Sequence, residues 1–114
     1  MLIDVTKNHI KNGVREDECN CPIALAVCDA VEFELSDNDI EFNNIITVVH
    51  DDNIAIYYYT LDKEYEYQFN ISPKKKDNWS IISDFIFHFD KDRDVEPFEM
   101  EFEVNQEVHN KYKR

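Results

Sequence analysis

Glycine is almost missing from this chain: Gly13 stands alone among 114 residues. Phosphate-cradling loops and dinucleotide-binding turns each need several glycines, so both are excluded. Positive charge is also scarce, with 12 Lys and Arg against 25 Asp and Glu and a net charge of −13. Affinity for DNA, RNA and anionic membranes comes largely from Lys and Arg meeting phosphates, so no direct nucleic-acid or membrane binding is expected. The longest apolar run, Ile54 to Tyr59, has six residues, whereas a membrane span needs about 20. The N-terminal residues lack the charged-then-apolar layout of a secretory leader. Three cysteines, Cys19, Cys21 and Cys28, are an odd number, which with no leader points to reduced thiols in a cytoplasmic protein.

What is present argues for a packed core. Hydrophobic residues make up 43% of the chain, including six Tyr and eight Phe, too many for a disordered acidic segment. The length fits one domain over residues 1–114. Its charge is uneven: residues 16–66 hold fourteen acidic residues against one lysine, and residues 94–107 hold six against none. A near-neutral segment separates these blocks, and from about residue 108 a short basic stretch reads as a solvated tail.

Residues 2–6 read as a strand, followed by a polar stretch to Glu18. Pro22 suits the first turn of a helix, with Asn20 or Cys21 as its cap. Behind it Ile23, Ala26, Val27, Ala30 and Val31 recur at the helical period, and Leu25 and Cys28 widen the apolar face. Residues 45–49 and 54–60 are β-branched and aromatic, joined by a turn at His50-Asp51-Asp52-Asn53. After a further turn at residues 61–63, strict alternation places Tyr65, Tyr67, Phe69 and Ile71 on one face. Glu64, Glu66, Gln68 and Asn70 take the other. A second helix over residues 77–90, capped by Asp77 or Asn78, carries the stripe Ile81, Ile82, Phe85, Ile86 and Phe89. The last strand, residues 97–104, turns Phe98, Met100, Phe102 and Val104 inward and Glu99, Glu101 and Glu103 outward. The whole predicts an α+β fold: a largely antiparallel sheet, made of a meander plus N- and C-terminal strands, with two helices packed on one face.

The strand of glutamates is the most specific chemical feature. Alternate strand residues repeat at about 6.8 Å, near twice the roughly 3.4 Å advance per phosphate of one nucleic-acid strand. Glu99, Glu101 and Glu103, supported by Glu64 and Glu66, therefore form a candidate row for a basic protein groove that ordinarily holds nucleic acid. A solvated outer sheet face is the plainer reading of the same residues. Cys19, Cys21 and Cys28 with His9 fit a zinc site poorly, because the first pair is too close in sequence. A redox role lacks a basic neighbour to lower a thiol pKa. Asp90, Asp92, Asp94 and Glu101 match positions 1, 3, 5 and 12 of a calcium loop, but Val95 occupies the position that needs glycine. No serine lies in a nucleophile elbow, and His50 and His88 read as a turn residue and a helix residue. No catalytic residue, metal or cofactor is assigned. Tyr57, Tyr58 and Tyr59 cannot all face one side of a strand, so some tyrosine surface is left for contacts.

Three stretches carry a family resemblance: Val5-Thr6 with His9-Ile10 and Gly13; Cys21-Pro22-Ile23-Ala24-Leu25-Ala26; and Phe85-Ile86, Phe89-Asp90, Val95 and Pro97-Phe98. In these the chain resembles a group of small proteins of bacteriophages and bacteria to which no activity is attached. A glycine that the resemblance implies after Asp90 is replaced here by Lys91-Asp92-Arg93. The resemblance implies a context in which small acidic proteins inhibit host nucleic-acid enzymes by imitating their substrate. The expected function is accordingly a non-enzymatic inhibitor of the anti-restriction or anti-CRISPR type, its partner a nucleic-acid-binding host protein. A small-molecule module with a pocket near the tyrosines and His50, or a structural part of a phage particle, are the alternatives.

Overall fold

The computed structural model describes residues 1–38, 42–50, 53–60 and 65–111, and the side chains of these except at 43, 60, 65, 66 and 106–111. Five strands and three helices follow one another as β1 (Leu2–Val5), α1 (Lys7–Asn12), α2 (Pro22–Asp37), β2 (Phe42–Val49), β3 (Ile54–Thr60), β4 (Tyr65–Pro73), α3 (Trp79–Asp90) and β5 (Phe98–Lys111), with one 3₁₀ turn at Lys76–Asn78. The strands form one curled antiparallel sheet in the order β1-β5-β4-β3-β2. The α+β class expected from the pattern is therefore the class observed.

Period-two alternation fixes which side of each strand is buried. Ile3 and Val5 on β1, Ile54, Ile56 and Tyr58 on β3, Phe69 and Ile71 on β4, and Met100 and Phe102 on β5 all turn into one core. Ile23, Val27, Val31 and Leu35 of α2 and Ile82, Phe85 and Phe89 of α3 meet them there. Helix α2 contacts both β1 and β2, the two edges of the sheet. It thereby closes the open side of the curl. Tyr58 stacks on Tyr67 with ring centroids 4.9 Å apart, and Phe85 meets Phe98 edge-on at 5.2 Å.

Several expectations need correction. Residues 7–12 are helical, although none of them is buried. A capping box holds this short helix: Thr6 Oγ1 accepts from the His9 N–H, and His9 Nδ1 accepts from the Thr6 N–H at 3.0 Å. Histidine thus does the work of the usual Glu or Gln. Strand β5 runs to Lys111, paired with Tyr65 of β4, so residues 108–111 are strand rather than tail. Its second half has polar residues without alternation, and the pairing to β4 supplies its order. Within the expected apolar stripe of α3, Ile81 is 47% exposed. Val104 is 52% exposed despite its inward expectation. The expected turn at residues 61–63 lies outside the described residues.

Helix ends are set by specific groups. Cys21, not Asn20, caps α2, its Sγ accepting from the Ala24 N–H at 3.5 Å. Neither expected side chain caps α3; Ser80 Oγ instead donates to the Asp77 carbonyl at 2.8 Å. The C-terminus of α3 closes in a Schellman arrangement, with Asp92 N–H on the Phe89 carbonyl and Arg93 N–H on the His88 carbonyl at 2.9 Å. Asp92 takes a φ of 60° there, a conformation suited to glycine. At the other end of the loop region, Gly13 leaves no room for a side chain, because a Cβ would lie 2.6 Å from Pro22 Cδ.

Three substitutions test these ends. Gly13→Ala pushes against the first turn of α2 and is expected to cost about 1–3 kcal/mol, the usual penalty for overpacking. Asp92→Gly relieves the left-handed residue at the loss of an exposed ion pair, and is expected to leave stability unchanged or raise it by up to about 1 kcal/mol. Asp92→Ala keeps the Cβ and should be the less stable of the two. Urea unfolding of the three variants measures the order.

Candidate acidic interface

Glu99, Glu101 and Glu103 are all exposed, while Met100 and Phe102 between them are buried. They therefore stand in one line on the outer face of β5, about 6.8 Å apart along the strand. Among the described residues, neither Glu99 nor Glu103 has an ion-pair partner. Glu101 meets the N-terminal ammonium of Met1 at 3.4 Å, with its own side chain still 54% exposed.

Pairing to β1 adds a carboxylate that sequence reasoning missed. Asp4 lies directly opposite Glu99, and Leu2 opposite Glu101. Met1 and Phe102 exchange backbone hydrogen bonds at 2.8 and 2.9 Å, so by alternation Asp4 and Glu99 form a non-hydrogen-bonded pair. In such pairs the Cα atoms approach to about 4.5 Å and side chains sit close. Like charges in that position cost stability. No periodicity within residues 2–5 announces the contact, because it exists only through the register with β5.

The supporting glutamates do not join the row. Glu66 pairs with Asn110 on β5, seven positions beyond Glu103, which at about 3.4 Å per residue is more than 20 Å away. Glu64 lies outside the described residues. Across the rest of the outer face the chemistry changes: Ile46 is 44% exposed, and Tyr57 and Tyr59 are half-buried beside Val48. Tyr57 accepts from Gln68 Nε2 at 3.5 Å. The outer face is thus acidic on β1 and β5 and apolar-aromatic on β2 and β3.

The other candidate sites come apart. His9 spends both ring nitrogens, Nδ1 on Thr6 and Nε2 on Asp29 Oδ2 at 2.7 Å. Cys28 Sγ lies 3.4 Å from Thr47 Oγ1 and 3.6 Å from the Ile45 carbonyl. Among the described residues, no group of three His, Cys, Asp or Glu is placed to hold a metal ion. In the calcium-like stretch, Asp90 accepts from the Glu16 N–H at 2.9 Å and Asp92 pairs with Arg15 at 2.6 Å. Both serve the loop after Gly13. His50 and the tyrosines occupy different places: His50 lines a cleft of about 510 Å³ with Glu18, Cys19, Cys21, Ile86 and Asp90. Tyr58 borders a separate one of about 210 Å³.

All three thiols have raised pKa values. Burial does this first at each, reinforced at Cys19 by the carboxylates of Asp17 and Glu18 and at Cys28 by Asp29 and Glu32. The thiolate is the reactive form, so a thiol reagent at pH 8 is expected to modify the folded protein more slowly than the urea-unfolded chain. Cys19, less enclosed than Cys21, should react first, and mass spectrometry of the labelled protein reads the order.

No helix among the described residues is long and apolar enough to cross a membrane. Compared with family models, curated proteins and solved structures, the chain finds no match, so a functional reading rests on its own geometry and electrostatics.

Proposed function

We propose that the protein is a non-enzymatic, cytoplasmic interaction protein that presents its acidic sheet face to a basic surface on a nucleic-acid-handling partner. The observation that carries this reading is the line Glu99-Glu101-Glu103 on β5, exposed and joined across the strand by Asp4. A nucleic-acid groove presents Lys and Arg at phosphate spacing, and carboxylates about 6.8 Å apart on a rigid strand meet such a groove without reorganising. The net charge of −13 supplies long-range steering toward the same target. A host nuclease or restriction enzyme is the proposed target class, because its substrate groove is lined by the Lys and Arg that hold phosphates.

Repulsion between Asp4 and Glu99 favours this reading over an ordinary solvated face. An outer face needs polarity, but it does not need like charges directly opposed. Placing them there sacrifices stability that an uncharged pair would keep.

The test is the triple variant Glu99→Lys, Glu101→Lys, Glu103→Lys. Binding to a basic nucleic-acid-binding protein captured from host lysate is expected to fall at least 100-fold at low salt, while the circular dichroism spectrum is preserved. Native binding is expected to weaken steeply between 50 and 300 mM NaCl, about the range over which screening shortens below 10 Å. Equal binding by the triple variant overturns the reading.

The cleft of about 510 Å³ beside His50 favours a second reading, a small-ligand module. It predicts ligand-dependent thermal stabilisation that salt barely alters.

A further inference from the structure

Beside the acidic row the sheet ends in an open edge. Among the described residues, strand β1 pairs only with β5, and Met1 just before it, with Ile3 and Val5 within it, takes the hydrogen-bonded positions. By alternation the N–H and C=O groups of Leu2 and Asp4 point out of the sheet. Among the described residues these four groups have no hydrogen-bond partner. Unpaired edges of this kind template an added strand.

Next to that edge runs a groove of about 440 Å³ between β1 and α2. Its apolar wall consists of Leu2, 52% exposed, Phe33, 73% exposed, and the small side chains of Ala26 and Ala30. Asp4, Asp29 and Glu34 stand around it, Asp29 held by His9 Nε2 at 2.7 Å, and among the described residues no Lys or Arg lines it. The ammonium of Met1 is turned to the Phe102 carbonyl at 2.9 Å and to Glu101. Bare backbone, an exposed aromatic ring and the carboxylates of Asp4 and Glu34 thus meet in one place.

We infer that this edge takes an extended basic segment of the partner as a sixth strand beside β1, with one apolar side chain seated against Phe33. The inference rests on the acidic-interface reading and names the part of the partner that reaches it. Backbone pairing to Leu2 and Asp4 supplies register, the Phe33 groove receives alternate side chains on one face, and Lys or Arg on the other face meets Asp4, Glu99 and Glu101. A second copy of this chain is disfavoured as occupant, because each copy brings a net charge of −13 and its own Asp4 to the same edge.

The probe is a fluorescein-labelled octapeptide alternating lysine and valine, with octalysine and an alternating glutamate-valine octapeptide as controls. Binding is read by fluorescence anisotropy at low salt. Leu2→Pro removes the outward N–H while leaving the bonds to β5 untouched, and Phe33→Ser removes the exposed ring from the helix surface. Each is expected to weaken the lysine-valine peptide at least 10-fold and leave octalysine unchanged, whereas the triple lysine variant loses both. If the lysine-valine peptide binds both edge variants like the native protein while the triple variant loses it, the edge inference fails and the acidic face stands. If the triple variant still binds octalysine and the lysine-valine peptide undiminished, the acidic-face reading fails. Equal binding of the glutamate-valine peptide overturns the charge selection. Sedimentation showing a dimer that Leu2→Pro dissolves overturns the choice of occupant. Should Leu2→Pro fail to fold, Phe33→Ser together with amide-exchange protection of Leu2 and Asp4 on adding the lysine-valine peptide decides the question, absence of protection counting against the inference.

Discussion

One helix closes this fold. A five-stranded antiparallel sheet that curls but does not close leaves two edges and an open apolar hollow, and α2 lies against both edge strands. Its inward residues Ile23, Val27, Val31 and Leu35 are buried together with side chains from all five strands. The direction of α2 is set at its start, where Pro22 packs on Gly13 and Cys21 caps the first turn. Position and identity of these three residues therefore control how the sheet is sealed, and with it how β1 is held beside β5. The acidic row inherits its geometry from that seal.

Electrostatics and packing pull against each other across the sheet. The concave side is ordinary core, rich in isoleucine and phenylalanine. On the convex side the strands divide the surface into a carboxylate half and a half built from Ile46, Val48, Tyr57 and Tyr59. Some basic groups among the described residues sit elsewhere, since Lys91 and Arg93 each lie within 6 Å of the exposed Phe87 ring and Arg15 holds Asp92, but Lys74 lies beside the row, its backbone N–H donating to the Glu101 carbonyl at 2.9 Å. Among the described residues, the Met1 ammonium on Glu101 is the one ion pair made by the glutamate row.

Much of the architecture was legible in the residues because burial imposes periodicity. Strand β3 has the expected bounds, and the alternation of Tyr67, Phe69 and Ile71 is the observed inward face of β4. The outward line of Glu99, Glu101 and Glu103 follows from the same rule. What escaped was information carried by neighbours in space. Helix α1 has no fully buried residue, with Ile10 alone packed partly against the core, and is held by a capping box in which histidine replaces the usual partner, so no stripe betrays it. The second half of β5 is ordered by β4 rather than by its own pattern. Asp4 joins the acidic row, and Glu66 leaves it, through strand register alone, which hydrophobic periodicity does not encode.

The opposed carboxylates of Asp4 and Glu99 have a thermodynamic corollary for the free protein. Dissolved ions shield that repulsion, so modest ionic strength firms up the isolated fold while it loosens any association with a cationic partner. Under the proposed function, the medium that most favours docking is the one in which the free fold is least stable, and a cationic counterpart would supply the neutralisation that the free protein lacks. In that proposal recognition and conformational relief are one event, written into a single cross-strand pair.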